Sequence, residues 1–173
     1  MSAVQPAERL QPGTELRAPP RRMTRERMRW YVDLLPTVEA DDGRVHHDVP
    51  TIHDDDDFAR SQGLPGIIAD GMLSTNWLLS LLMDAFGENA LSPGSLRTRY
   101  IAPVFEDVVI TAVARVASVT EAPAGGLRYA LELWCEDAEG RKLTVGDASV
   151  QADEPVSARA RMPRFLIGAR GAA

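Results

Sequence analysis

A chain of 173 residues is long enough for one domain with a real hydrophobic core and short tails. Its apolar share of 45% and charged share of 25% are ordinary for a globular protein. The net charge of -6 argues against nucleic acid as the main partner, because neutralising phosphates needs Lys and Arg. A lone cysteine, Cys135, rules out an intramolecular disulfide, argues against a cysteine-based zinc site and fits a reducing cytoplasm. No apolar run approaches the roughly 20 residues that span a bilayer. The opening MSAVQPAERLQPG has no apolar stretch followed by a cleavage site, so no secretion signal is read there.

The first residues, to about Arg22, are rich in Pro, Arg and Gln and read as a tail with one edge strand near Thr14–Arg17. The domain proper is placed at residues 13–154, between tails at 1–12 and 155–173. Thr24 suits a helix N-cap, and Met28, Tyr31, Val32 and Leu35 follow at helical spacing until Pro36 stops the helix. Residues 37–52 lack periodicity and read as a loop. DDDDFARSQG predicts a short helix: its Asp residues face the positive end of the helix dipole, and Gly63 suits its stop.

GMLSTNWLLSLLMDAFG predicts the most informative helix. Met72, Leu73, Trp77, Leu78, Leu79, Leu81, Leu82, Met83 and Phe86 cover nearly its whole circumference, which predicts burial on all sides. Four strands are expected after it: Ser95–Ile101, Asp107–Thr120, Leu127–Asp137 and Leu143–Ala152. Short turns between them predict an antiparallel meander. Helices followed by a run of strands make the class α+β. A curved antiparallel sheet wrapped around the apolar helix is the simplest way to bury it, although periodicity alone does not select that arrangement.

The stretch HDVPTIHDDDDFARSQGLPGIIADGMLSTNWLLSLL resembles the MaoC-like (R)-specific enoyl-thioester hydratases. That family carries an Asp five residues before a His, then an acidic helix, a Gly-Leu-Pro-like turn, an apolar pair and a His-Gly-Met opening the central helix. Asp48 and His53 have that spacing, and Gly63-Leu64-Pro65, Ile67-Ile68 and Gly71-Met72-Leu73 fall at the matching places. Arg97–Val104 resembles the family strand that ends in an apolar-Pro-Val step, and Glu106-Asp107 its Gly-Asp turn. The likeness spans roughly residues 13–152 and is densest from Ile52 to Phe86. The departures are His47 where the family has Gly, Pro50-Thr51 where it has Asn-Pro, and Asp70 where it has His or Gln.

The resemblance implies the hotdog fold and a homodimer that completes each tunnel. It implies hydration or dehydration at C2=C3 of an acyl thioester on coenzyme A or a carrier protein, without a cofactor. Asp48 and His53 would hold water and move a proton, and the Gly71 N–H would receive the thioester oxygen as it gains charge. Asp70, Met72, Ser74 and Thr75 would stand around the substrate.

Plainer readings compete with each assignment. His53 can simply lead into the acidic helix, and Asp48 can be a solvated loop residue. The four-Asp run reads as a solvated helix start. Asp70 is most simply an N-cap; if ionised and turned toward the oxyanion site, it would oppose enolate formation. Ser74, Thr75 and Asn76 can instead satisfy neighbouring backbone groups. Arg97 and Arg99, which share one strand face, and Arg115 can receive phosphates or form a solvated surface. His46 and His47 with Asp54–Asp57 fit no standard zinc spacing. Two other functions stay open: a specialised cyclase, isomerase or dehydratase with a non-standard substrate, and a non-catalytic acyl-binding subunit.

Overall fold

The computed structural model describes residues 10–34, 50–92, 94–123, 125–153 and 155–156. Asp48, His46, His47 and Leu35 lie outside the described residues. The elements run in chain order as β1 (Glu15–Arg17), β2 (Arg21–Arg22), α1 (Arg25–Leu34), α2 (Asp56–Ser61), α3 (Gly71–Phe86), a 3-10 turn (Gly87–Ala90), β3 (Gly94–Tyr100), β4 (Val109–Glu121), β5 (Leu127–Glu136) and β6 (Lys142–Ala152). The expected α+β class is present: one antiparallel sheet packs against α3. Among the described residues no helix is long and apolar enough to cross a membrane.

The sheet is not the sequential meander that short turns suggest. Its order is β1-β4-β5-β6-β3, with β2 also on β4, so β3 pairs with β6 rather than with β4. The residues after β3 are not free to fold back as a hairpin. Ala69 N–H donates to the Val104 carbonyl at 2.8 Å, and Phe105 bridges Ile68. The apolar-Pro-Val step is thereby bound to the segment that enters α3, and β4 starts on the far side of the sheet.

Helix α3 buries Leu73, Leu78, Leu81, Leu82 and Phe86 against the sheet. It is not buried all round, contrary to the sequence expectation: Met72 is 44% exposed and Met83 42%. An open sheet within one chain covers one side of a helix, and Asn76 lies on the side left to solvent. Leu10 is buried, its N–H donates to the Val156 carbonyl at 2.9 Å, and both residues pack with the core.

The turn between β5 and β6 is held by a buried Asp137, whose carboxylate accepts from Arg141 N at 2.8 Å, Arg141 Nε at 2.9 Å and Glu139 N at 3.1 Å. Burial alone would raise this carboxyl. The backbone N–H and guanidinium of Arg141, with Glu139, outweigh it and hold the group below the ordinary carboxylate range. A depressed folded value gives stability that is present above the unfolded value and lost as pH falls through the folded one. Asp137→Asn is therefore expected to lower the urea midpoint at neutral pH, with the gap to wild type closing in strong acid.

Candidate active site

The segment before α2 is built by its own side chains. Asp54 Oδ1 accepts from Thr51 N at 2.7 Å and Thr51 Oγ1 at 2.9 Å, and Thr51 Oγ1 accepts from His53 N at 3.1 Å. Asp55 caps α2 by accepting from Phe58 N at 2.7 Å. Asp56 pairs with Arg25 of α1 at 2.8 Å and accepts from Ile67 N at 3.1 Å, while Arg25 also holds Glu106 at 2.7 Å. The four-Asp run is therefore more than a solvated helix start. Asp54 closes the turn on Thr51, while Asp55 and Asp56 tie the segment to α2, to α1 and to the stretch before α3; Asp57 is left to solvent, beside Arg60.

That frame delivers His53. Ile68 N–H donates to the Ile52 carbonyl at 3.0 Å, and His53 Nδ1 lies 2.9 Å from the Ile68 carbonyl oxygen. A carbonyl only accepts, so Nδ1 carries a proton, and Nε2 is the nitrogen left to exchange one. Nε2 lies 3.9 Å from Asp70 Oδ2. The other carboxylate oxygen, Oδ1, accepts from Met72 N at 2.7 Å, which makes Asp70 the N-cap of α3. One carboxylate therefore caps the central helix and stands at ion-pair distance from the imidazole. Capping does not turn Asp70 away from the imidazole.

A cavity of about 570 Å³ opens here. His53, Asp70, Gly71, Ser74, Tyr100 and Thr144 line it along with apolar residues that include Leu64, Ile68, Ile101 and Val104. At the start of α3, Met72 N is taken by Asp70 Oδ1 and Leu73 N by the Asp70 carbonyl at 3.1 Å. Among the described residues, that leaves the Gly71 N–H for a ligand oxygen.

Two residues expected beside the substrate are not on the cavity wall. Met72 points its sulfur at the Tyr100 hydroxyl, which donates to it at 3.3 Å. The Thr75 hydroxyl is engaged with Thr98 Oγ1 at 2.8 Å and the Tyr100 hydroxyl at 2.9 Å. Its position one turn along α3 faces it toward β3 rather than into the cavity. Arg97 and Arg99 are exposed and away from the cavity, and Arg115 pairs with Glu132 on the outer sheet surface.

Sequence reasoning missed Tyr100. Its ring packs so closely on Gly71 that an added Cβ would stand 2.5 Å from it. Two hydrogen bonds tether the ring, so it cannot yield freely. Gly71→Ala is therefore expected to cost about 1–3 kcal/mol by overcrowding, read as a shift in Tm, and to displace Tyr100 from the cavity wall. Tyr31 of α1 stands near Tyr100, at a position that helical spacing marks only as apolar. Burial, and then the nearby Asp70 carboxylate and Tyr100, raise its phenol above the ordinary value, against a smaller opposing effect of Asn76. It therefore stays a neutral hydroxyl in the neighbourhood of Asp70 and Tyr100. Behind α3, burial pushes the Cys135 thiol up to about 12, so it remains an S–H group, donating to the Ser74 carbonyl at 3.7 Å.

A family model described as the MaoC like domain matches residues 10–123. This chain belongs to that family. No curated protein matches it in sequence. Among solved structures, the MaoC-like domain is similar to the R-hydratase PhaJ1 from Pseudomonas aeruginosa in unliganded form, at 17% identity and TM-score 0.60, over 85% of this chain and 84% of that one. The (R)-hydratase from A. caviae involved in PHA biosynthesis matches at 20% identity and TM-score 0.58, over 86% and 98% of the two chains. A 3R-hydroxyacyl-ACP dehydratase complex from Mycobacterium tuberculosis, C-terminally truncated HadBC, matches at 16% identity and TM-score 0.57, over 82% and 96%. At these identities the likeness shows the fold: a hotdog, as the sequence resemblance implied.

Proposed function

We propose that this MaoC-like domain adds or removes water at C2=C3 of an acyl thioester, with His53 as the proton carrier. The observation that carries this reading is the fixed imidazole. The Ile68 carbonyl holds Nδ1, so Nε2 is the nitrogen that faces Asp70, next to the Gly71 N–H, which has no partner among the described residues. In dehydration a proton leaves C2, the electron pair forms the double bond, and the C3 oxygen departs with a proton as water. One group must take the first proton and one must give the second. His53 Nε2 takes the first, and the imidazolium so formed is stabilised by the carboxylate 3.9 Å away. The Gly71 N–H, at the positive end of a 16-residue helix, receives the thioester oxygen as charge grows on it.

Asp48 is retained as the second group on the water, on the strength of its spacing from His53. The name of one structural relative, a 3R-hydroxyacyl-ACP dehydratase, supports an acyl group on a carrier protein, and coenzyme A is the other carrier this reading admits. A homodimer belongs to the same reading: β3 ends the sheet order, and an unpaired strand edge invites a second copy. The test is direct. The protein is mixed with crotonyl and 3-hydroxybutyryl thioesters of coenzyme A and of pantetheine, and the enoyl absorbance is followed. Turnover that depends on His53 supports the reading, and its absence from all four substrates overturns it.

One observation favours a second reading. The carboxylate of Asp70 beside Gly71 opposes enolate charge there, which suits a specialised enzyme whose substrate builds less negative charge on oxygen.

A further inference from the structure

Below its reacting end the cavity wall is largely apolar, with two exceptions. Ser74 and Thr144 line it, each is 1% exposed, and among the described residues neither hydroxyl has a hydrogen-bond partner on the protein. Ser74 offers only its backbone carbonyl, to Cys135 Sγ. Thr144 stands directly across from Cys135 on β5 and from Tyr100 on β3. Residues opposite one another in an antiparallel pair project from the same face. Cys135 reaches α3 and Tyr100 packs on Gly71, so Thr144 between them faces α3 as well. The two residues thus border the cavity from opposite walls, Ser74 from the helix and Thr144 from the sheet.

Buried hydroxyls without partners are costly, and a pocket made for a plain alkyl chain has no use for them. We propose that Ser74 and Thr144 form a polar floor that binds an oxygen on the substrate's acyl chain, so that the preferred substrate is an oxygenated acyl thioester. Ser74 follows Gly71 by three residues, about 4.5 Å along the helix. With the thioester oxygen at Gly71, the bound oxygen sits on a carbon about four bonds from the thioester carbonyl. This rests on the acyl-thioester reading above and adds the substrate class to it.

The test uses two saturated N-acetylcysteamine thioesters, the hexanoyl ester with a ketone at C5 and its isostere with a methyl branch at C5. They match in shape and differ by one oxygen. Calorimetry on the full chain is expected to show the ketone binding about tenfold tighter, the size of one good neutral hydrogen bond. In Ser74→Ala and in Thr144→Val that ratio is expected to fall toward one, through lost affinity for the ketone. Alanine suits a helix and valine a strand, so both variants retain the fold. Equal affinity for the two esters, a preference for the branched one, binding of neither, or a ratio unchanged in both variants overturns the floor. The corresponding enoyl esters separate the two ideas. Discrimination in binding without hydration defeats the lyase reading alone, and hydration without discrimination defeats the floor alone.

Discussion

His53→Ala is expected to lower kcat/KM for hydration of an enoyl thioester by about a hundredfold to ten-thousandfold, the usual contribution of a positioned general base. The effect is large because the ring is placed rather than merely present. The Ile68 carbonyl fixes its tautomer at 2.9 Å, and the Thr51–Asp54 turn fixes the backbone that carries it. The cost in stability is expected to be modest, about 1 kcal/mol for one part-buried hydrogen bond. A thermal melt therefore separates lost chemistry from lost fold. His53→Asn is the companion variant: its Nδ2 amide stands as far from the backbone as the imidazole Nδ1 and can still donate to the Ile68 carbonyl, yet it carries no proton-accepting nitrogen. Both variants inactive with near-native melts would establish the imidazole as the base. Retained turnover in His53→Asn would assign the proton to another group, with Asp48 the first to examine.

The sequence shows some of this arrangement and hides the rest, for physical reasons. Helix α3 was legible because an apolar run closed by Gly87 has few alternatives in water. The strands were legible from their β-branched residues and the turn residues between them. Strand order was not, because it depends on contacts between distant segments, above all the Ala69–Val104 and Ile68–Phe105 pairings that bind the apolar-Pro-Val step beside α3. In the site, His53 and Asp70 were legible as candidates from local spacing. Their mutual distance was not, since it follows from how residues 52 and 68 pair. Tyr100 and Thr144 carried no local signal at all. Each is one position in an alternating strand, and only the register across β3, β6 and β5 sets them in one row. The one clue was Gly71: a glycine at the first position of a buried helix marks a close neighbour, which proves to be the Tyr100 ring.

Asp70 carries the second large prediction, because its two oxygens do different things. Oδ1 caps α3 through Met72 N, and Oδ2 faces His53. Asn is as good an N-cap as Asp, whereas Ala is not. Asp70→Asn is therefore expected to leave the melting temperature nearly unchanged, and Asp70→Ala to cost about 1 kcal/mol of stability. On activity the two variants are expected to agree. Each removes the charge that stabilises the imidazolium, and kcat/KM for a thioester falls by about tenfold to a hundredfold, the size of a charged hydrogen bond or close ion pair. The same charge opposes the enolate at Gly71, so the sign of the change decides between the two enzymatic readings. A fall in both variants means that the carboxylate serves the base, and that the thioester is an appropriate substrate. A rise in Asp70→Asn with the melt intact means that the carboxylate was suppressing enolate chemistry. The native reaction would then be one in which the substrate oxygen gathers little negative charge. Because capping is preserved in Asp70→Asn and lost in Asp70→Ala, that outcome cannot be blamed on a frayed helix.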